Sequence, residues 1–116
     1  MRVHHRPISL KTDIQPLSKA IREVFSKTVD FLVLDSHPHL DAALGSVIGL
    51  SDVAVLPCGP SGLDLIATAG TVGLVREIRK ARGVGRPLIT LVPNRVDLRT
   101  SAGRQLETAL GKLGRM

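Results

Sequence analysis

The fold of this chain is decided by residues 52–64, DVAVLPCGPSGLD. Its apolar first half predicts a buried strand that ends at Pro57, because proline cannot continue the hydrogen-bond ladder of a central strand. Ser61 is a suitable N-cap for a following helix, and Asp64, three positions later, completes a variant of the capping box. A buried strand that leads directly into a helix is typical of a parallel α/β sheet.

The same alternation continues towards the C-terminus. Apolar positions at helical spacing predict a long helix over 62–82, whose last turns are basic, as the negative end of the helix dipole favours, and which ends at Gly83. Residues 88–93, LITLVP, predict a further strand. A last helix is expected from Thr100 or Ser101 to Gly114.

Three elements are predicted before the deciding stretch. A helix capped by Asp13 should extend to about Lys27, and a second should cover 40–49. Between them, the apolar run 31–35 predicts a central strand that ends in a carboxylate. Together these patterns predict an α/β fold with three parallel strands flanked by four helices, in one domain spanning residues 1–116.

Composition limits the classes of function. The chain has 116 residues and a formal net charge of +6, which suits a polyanionic partner such as nucleic acid or anionic lipid, or else a solvated basic surface. With 2% aromatic residues, it is poorly suited to stacking single-stranded bases. The lone Cys58 predicts no internal disulfide, and no apolar run approaches the ~20 residues of a membrane span. We therefore expect a cytoplasmic protein.

Polar clusters follow each predicted strand, at the edge where parallel α/β sheets bind ligands. They cover residues 35–39, 59–64 and 94–97. Asp35 has the position of a carboxylate that holds magnesium through water, or it caps the next helix. Asn94 has the position of an amide that reads a purine edge, or it belongs to a turn before the last helix. No paired carboxylates, catalytic triad or metal cluster supports an unrelated α/β enzyme.

Four motifs in order resemble ParA/MinD-type partition ATPases. The run 30–38, DFLVLDSHP, resembles the Walker B segment of that family, which is usually hydrophobic residues followed by D-T-P-P. Residues 50–57 and 60–65 resemble the next strand and the helix start after it. Residues 93–100, PNRVDLRT, look like the nucleotide-base loop. The order and the spacings agree from about residue 14 to the end of the chain.

The resemblance implies a P-loop NTPase (Rossmann-like) three-layer fold that uses ATP and magnesium. Such proteins dimerise around ATP, bind DNA or membranes without sequence specificity, and move plasmids, chromosomes or division proteins. By position, Asp35 would hold magnesium through water and Pro38 would shape the switch loop. Asn94, with Arg95 and Asp97, would contact the adenine. The residues that would contact DNA phosphates are Arg79, Arg82, Arg99 and Arg104.

Two departures from the family motifs qualify this expectation. Ser36 and His37 stand where the family usually has Thr and Pro, and no G-x-x-x-x-G-K-[ST] motif occurs in the 116 residues. Without that loop, little holds the phosphates of ATP. We therefore expect this chain to be the C-terminal portion of a partition ATPase. Alone, it should bind no nucleotide tightly and have negligible ATPase activity. The alternative is a non-catalytic module that binds DNA or a partner.

The strand that carries the missing loop also matters for assembly. In the family fold it lies beside the strand that ends at Asp35. Its absence should force the remaining strands to pair with each other or to associate with another chain, either a second copy or a full-length relative.

Overall fold

The computed structural model describes residues 15–25, 29–36 and 41–115. Two compact units divide between Val47 and Ile48, and each is described by itself. The elements follow in the order α1 (Gln15–Phe25), α2 (Ala42–Gly49), β1 (Val53–Cys58), α3 (Gly62–Arg82), β2 (Leu88–Pro93) and α4 (Ser101–Arg115). None of these four helices combines the length and the apolar character needed to cross a bilayer.

The second unit is built around a parallel pair of strands. Strands β1 and β2 pair in register from Val53 opposite Leu88 to Cys58 opposite Pro93. Helix α3 connects them, because parallel neighbours need a long crossover and cannot be joined by a tight turn. This β1–α3–β2–α4 order confirms the α/β class that the sequence predicts.

One face of this sheet carries the hydrophobic core. Alternate side chains of each strand point towards α3 and α4, as the two-residue period of a strand requires. The buried cluster consists of Cys58, Val72, Leu106, Leu110 and Leu113, with Leu56, Leu65, Ile89 and Leu91 packed against it. The other side chains of the strands are exposed on the opposite face, among them Val53, Val55, Leu88 and Val92.

Helix α3 begins and ends where the sequence predicts. The Ser61 side chain accepts a 3.0 Å hydrogen bond from the Asp64 amide N–H and donates one of 2.7 Å to the Asp64 carboxylate. Gly83 ends the helix with φ of 69°, in the left-handed region that glycine occupies without strain. These two caps fix both ends of the 21-residue helix.

The first unit contains α1 and the start of α2. Helix α1 buries Leu17 and Ala20. Helix α2 is capped by Asp41, whose side chain accepts a 3.0 Å hydrogen bond from the Leu44 amide N–H. Since Asp41 is the cap, the alternative role of Asp35 as the cap of this helix is wrong.

The prediction of three strands is also wrong. Residues 29–36 form no strand, and the sheet of the described residues has two strands, in the order β1–β2. Phe31 and Val33, expected to be buried, are 89% and 85% exposed. A short apolar run becomes a strand only when a neighbour takes up its backbone hydrogen bonds, and no described segment does so here.

Candidate functional site

Two polar loops meet at the carboxyl ends of β1 and β2. The amide N–H of Asn94 donates a 2.8 Å hydrogen bond to the carbonyl oxygen of Cys58, so the last residue of β1 is joined to the first residue after β2. Parallel pairing puts the loops 59–61 and 94–100 at the same edge of the sheet. This is the edge where ligands bind in open α/β sheets.

Gly59 sets how closely the two loops approach. It is buried, and a Cβ atom at this position would lie 2.5 Å from Oδ2 of Asp64 and 3.8 Å from Nη2 of Arg95. The Asp64 carboxylate and the Arg95 guanidinium therefore both lie on the side of Gly59 where a side chain would project. Any other residue would displace the Asp64 carboxylate that Ser61 holds.

Asn94 and Arg95 are exposed polar residues at this edge. Arg95 has φ of 54°, a left-handed conformation that is uncommon for a residue other than glycine. Neither side chain forms a hydrogen bond or an ion pair with another described residue. The amide of Asn94 and the guanidinium of Arg95 are therefore available to an incoming ligand.

Asp97, in contrast, already has a partner. The Arg99 side chain donates from Nε to Oδ1 and from Nη2 to Oδ2, each at 3.0 Å, and the Arg99 amide N–H donates to Oδ1 at 3.0 Å. The bonds from Arg99 hold the pKa of Asp97 below its ordinary value, and the same pair raises the pKa of Arg99. The Asp97 carboxylate is thus engaged within the loop by Arg99.

The loop is joined to α4 by Thr100. Its hydroxyl donates a 2.8 Å hydrogen bond to the Asp97 carbonyl oxygen and accepts one of 3.0 Å from the Gly103 amide N–H. Thr100 is therefore the N-cap of α4. Gly103 is buried, and a Cβ atom there would overlap the Asp97 carbonyl oxygen.

The predicted magnesium residue lies in the first unit. Asp35 is exposed in the segment 29–36, and its role as a magnesium ligand stays a prediction. Pro38 lies outside the described residues, as do His37 and His39. No group of three His, Cys, Asp or Glu residues that could hold a metal occurs in the described ranges.

The four arginines predicted to contact DNA differ in their surroundings. Arg82 is half-buried and donates a 2.6 Å hydrogen bond from Nη1 to the carbonyl oxygen of Ser51. Arg79 is also half-buried. Arg99 and Arg104 are exposed, although Arg99 pairs with Asp97 and Arg104 donates to the Leu98 carbonyl oxygen at 3.1 Å. The exposed pair is the more accessible to a polyanion.

Sequence reasoning missed the internal partners of this edge. The family resemblance implies that Asp97 contacts the base and that Arg99 contacts DNA, and both roles stay predictions; the structure shows in addition that the two side chains bind each other. The spacing of two residues between opposite charges was the available signal. The sequence gives no signal for the close contact of Gly103, since Gly62 also lies in the first turn of a helix and a Cβ atom there would meet nothing within 4 Å.

The sequence of this chain is similar to that of a curated protein. Over 86 residues it is 31% identical to "Maintenance of carboxysome distribution protein A" of Halothiobacillus neapolitanus (strain ATCC 23641 / c2). The similarity covers 73% of this chain and 39% of the relative, so the chain spans about two fifths of that protein's length. It is consistent with the ParA/MinD-type resemblance of the motifs.

No family model matches the chain. No solved structure matches it significantly.

Proposed function

We propose that the second unit is the base-binding side of a ParA/MinD-type ATPase that positions a cellular cargo. The junction between Asn94 and Cys58 carries this proposal, because it brings the base loop to the ligand-binding edge of a parallel sheet. The curated relative, named for the distribution of carboxysomes, supports a positioning role. Plasmid or chromosome segregation is the corresponding role that the motifs suggest.

The residues of this edge fit the base of ATP. The Asn94 amide offers both a donor and an acceptor to a purine edge, and the Arg95 guanidinium can stack on a ring or reach a phosphate. Because Arg99 already occupies the Asp97 carboxylate, we assign Asp97 the role of positioning the loop. Recognition of the base therefore rests on Asn94 and Arg95.

This sequence offers fewer suitable groups to the phosphates of ATP than to its base. The 116 residues contain no G-x-x-x-x-G-K-[ST] motif, so the backbone cradle and the lysine of a P-loop are not present in this sequence. When bound, ATP with magnesium supplies the phosphoryl group for hydrolysis, and Asp35 is the residue that would hold the metal through water. We propose that this chain alone binds ATP weakly, through its base, and turns over little of it.

Amide chemical shifts measured by NMR test this proposal. Millimolar ATP should shift the amides of residues 59–64 and 94–100, and Asn94→Ala should abolish most of the shift. Gln105→Ala is the matched control, because Gln105 is an exposed polar residue on α4 beyond the loop. Shifts that are absent from both loops, or that survive Asn94→Ala unchanged, would show that the base does not bind here.

A non-catalytic DNA-binding module is the second candidate. The observations that favour it are the net charge of +6 and the exposed side chains of Arg99 and Arg104. Binding to duplex DNA without nucleotide, weakening steeply with added salt, would support this candidate. Such binding would leave the base site untested, so the two proposals can succeed or fail separately.

A further inference from the structure

The exposed face of α3 is apolar over its first four turns. Leu63 and Ile66 are 80% and 71% exposed, and Gly70 is exposed one turn further along the helix. The exposed face of a helix in a globular protein usually carries charged and polar residues. From 62 to 75, however, the one charged side chain is that of Asp64, whose carboxylate accepts a hydrogen bond from the helix N-cap. This face is therefore suited to contact with another apolar surface.

Four positions on this face form a seam with the spacing of a packed helix pair. The members of this α3 seam are Leu63, Ala67, Gly70 and Leu74. They follow one another at intervals of four, three and four residues, the spacing at which two helices meet side by side. Leu74 is half-buried and the other three are exposed. Their sizes run large, small, small, large, so the seam is complementary to itself when two copies are antiparallel. The pattern therefore favours a second α3 as the partner.

The α3 seam points away from the sheet and from α4. At about 100° per residue, its centre lies roughly 140° around the helix from the buried side chains of Thr68, Val72 and Val75. It lies about 150° from Arg76, which donates to the Leu113 carbonyl oxygen of α4 at 3.2 Å. Another copy can therefore reach the seam without displacing the core or the contact between α3 and α4.

We propose that α3 packs against α3 of a second copy of this chain, antiparallel and along the α3 seam. Leu63 of each copy would then pack against Leu74 of the other, and Ala67 against Gly70. The small central residues let the two helix axes approach to about 8 Å, the lower end of the usual range. Because the helices make the contact, the two sheets stay on their far sides and no strands pair between the copies.

The next position along the seam is charged in a way that favours the antiparallel arrangement. Glu77 follows Leu74 at the next interval of three residues and is exposed. It forms no hydrogen bond or ion pair with another described residue. In the antiparallel pair its carboxylate would lie beside the first turn of the other α3, where the helix dipole is positive. A parallel pair would instead bring the two Glu77 carboxylates together.

Sedimentation over a concentration series tests this association. Four layers of side chains bury less than about 1,200 Å² in total, so we expect a monomer–dimer equilibrium that shifts with concentration. Gly70→Leu should raise the dimer dissociation constant about tenfold or more, because a leucine at the centre of the seam would hold the helices apart. Ala102→Leu is the matched control, since Ala102 is an exposed small residue on α4. Leucine favours helix, so circular dichroism should show that both variants fold.

A second variant tests the ends of the seam by removing a side chain. Leu63→Ala should also raise the dissociation constant about tenfold or more, because each dimer loses two contacts between Leu63 and Leu74. Leu98→Ala is the matched control, since Leu98 is 70% exposed but lies in the loop 94–100. It should leave the dissociation constant unchanged. A chain that remains monomeric up to about 1 mM, a dimer unaffected by Gly70→Leu, or equal weakening by Leu63→Ala and Leu98→Ala would overturn the proposal.

Discussion

Gly103 lies directly against the carbonyl oxygen of Asp97, closer than any side chain would permit. The contact packs the loop 94–100 onto the first turn of α4. The Thr100 hydroxyl closes the same arrangement by bonding both the Asp97 carbonyl oxygen and the Gly103 amide N–H. The position of the loop therefore depends on a helix residue that has no side chain.

Gly103→Ala should destabilise the protein by about 1–3 kcal/mol, because its methyl group would overlap the loop backbone. Chemical denaturation measures this loss of unfolding free energy. The control is Gly73→Ala on α3, where a Cβ atom would meet nothing within 4 Å. That substitution should stabilise the helix by up to about 1 kcal/mol. Equal effects of the two substitutions would contradict the close contact at Gly103.

Ser61→Ala should cost about 0.5–2 kcal/mol, the usual range for loss of an N-cap. It removes the hydroxyl that accepts from the Asp64 amide N–H and donates to the Asp64 carboxylate. Ser101→Ala is the comparison, since Ser101 is an exposed serine at the first position of α4. If thermal or chemical unfolding showed no difference between them, the capping role of Ser61 would be wrong.

The Asp97–Arg99 pair should make stability depend on pH in the acidic range. Because the folded protein lowers the pKa of Asp97, the stabilisation is present above the unfolded pKa and is lost as pH falls through the folded pKa. In Arg99→Ala the pKa of Asp97 should rise towards its ordinary value, as followed by NMR of the carboxyl carbon. Arg104→Ala should leave that pKa unchanged. If the pKa of Asp97 is the same in Arg99→Ala as in the unaltered protein, the pairing is wrong.

Most helices and two strands could be predicted from the sequence because local signals determine them. The cap at Ser61 and the glycine at 83 mark α3 without reference to distant residues. The apolar runs of β1 and β2 become strands because each provides the partner of the other. The expected strand 31–35 fails for the opposite reason, since its sequence is suitable but no described segment pairs with it.

The sequence predicts where the residues of the candidate site lie in the fold. It predicts the partners of their side chains less well. Sequence order places Asn94 after a strand, and parallel pairing then brings it to the end of β1. No pattern specifies that Arg99 turns back to Asp97 or that Arg82 reaches Ser51, because such bonds depend on the path of the loops. The predicted ligand contacts of Arg82, Asp97 and Arg99 stay predictions, and the structure adds these internal bonds to them.

DNA binding, if present, should depend on the exposed arginines. Arg104→Ala should weaken binding to any duplex sequence and lower the salt slope by about one. Arg82→Ala should instead destabilise the fold by about 1.5–3 kcal/mol, the usual range for a hydrogen bond to a charged group, because it removes the bond to the Ser51 carbonyl oxygen. Fluorescence anisotropy at several salt concentrations, beside chemical denaturation, separates the two effects. An Arg82→Ala protein of full stability that no longer binds DNA would reverse these assignments.

Calorimetric titration of the chain with adenosine and with magnesium–ATP tests the central claim most directly. If the edge at Asn94 and Arg95 binds the base and this sequence supplies no phosphate cradle, the two dissociation constants should agree within about threefold, since triphosphate contacts would add little. Micromolar binding of magnesium–ATP together with weak binding of adenosine would contradict the account.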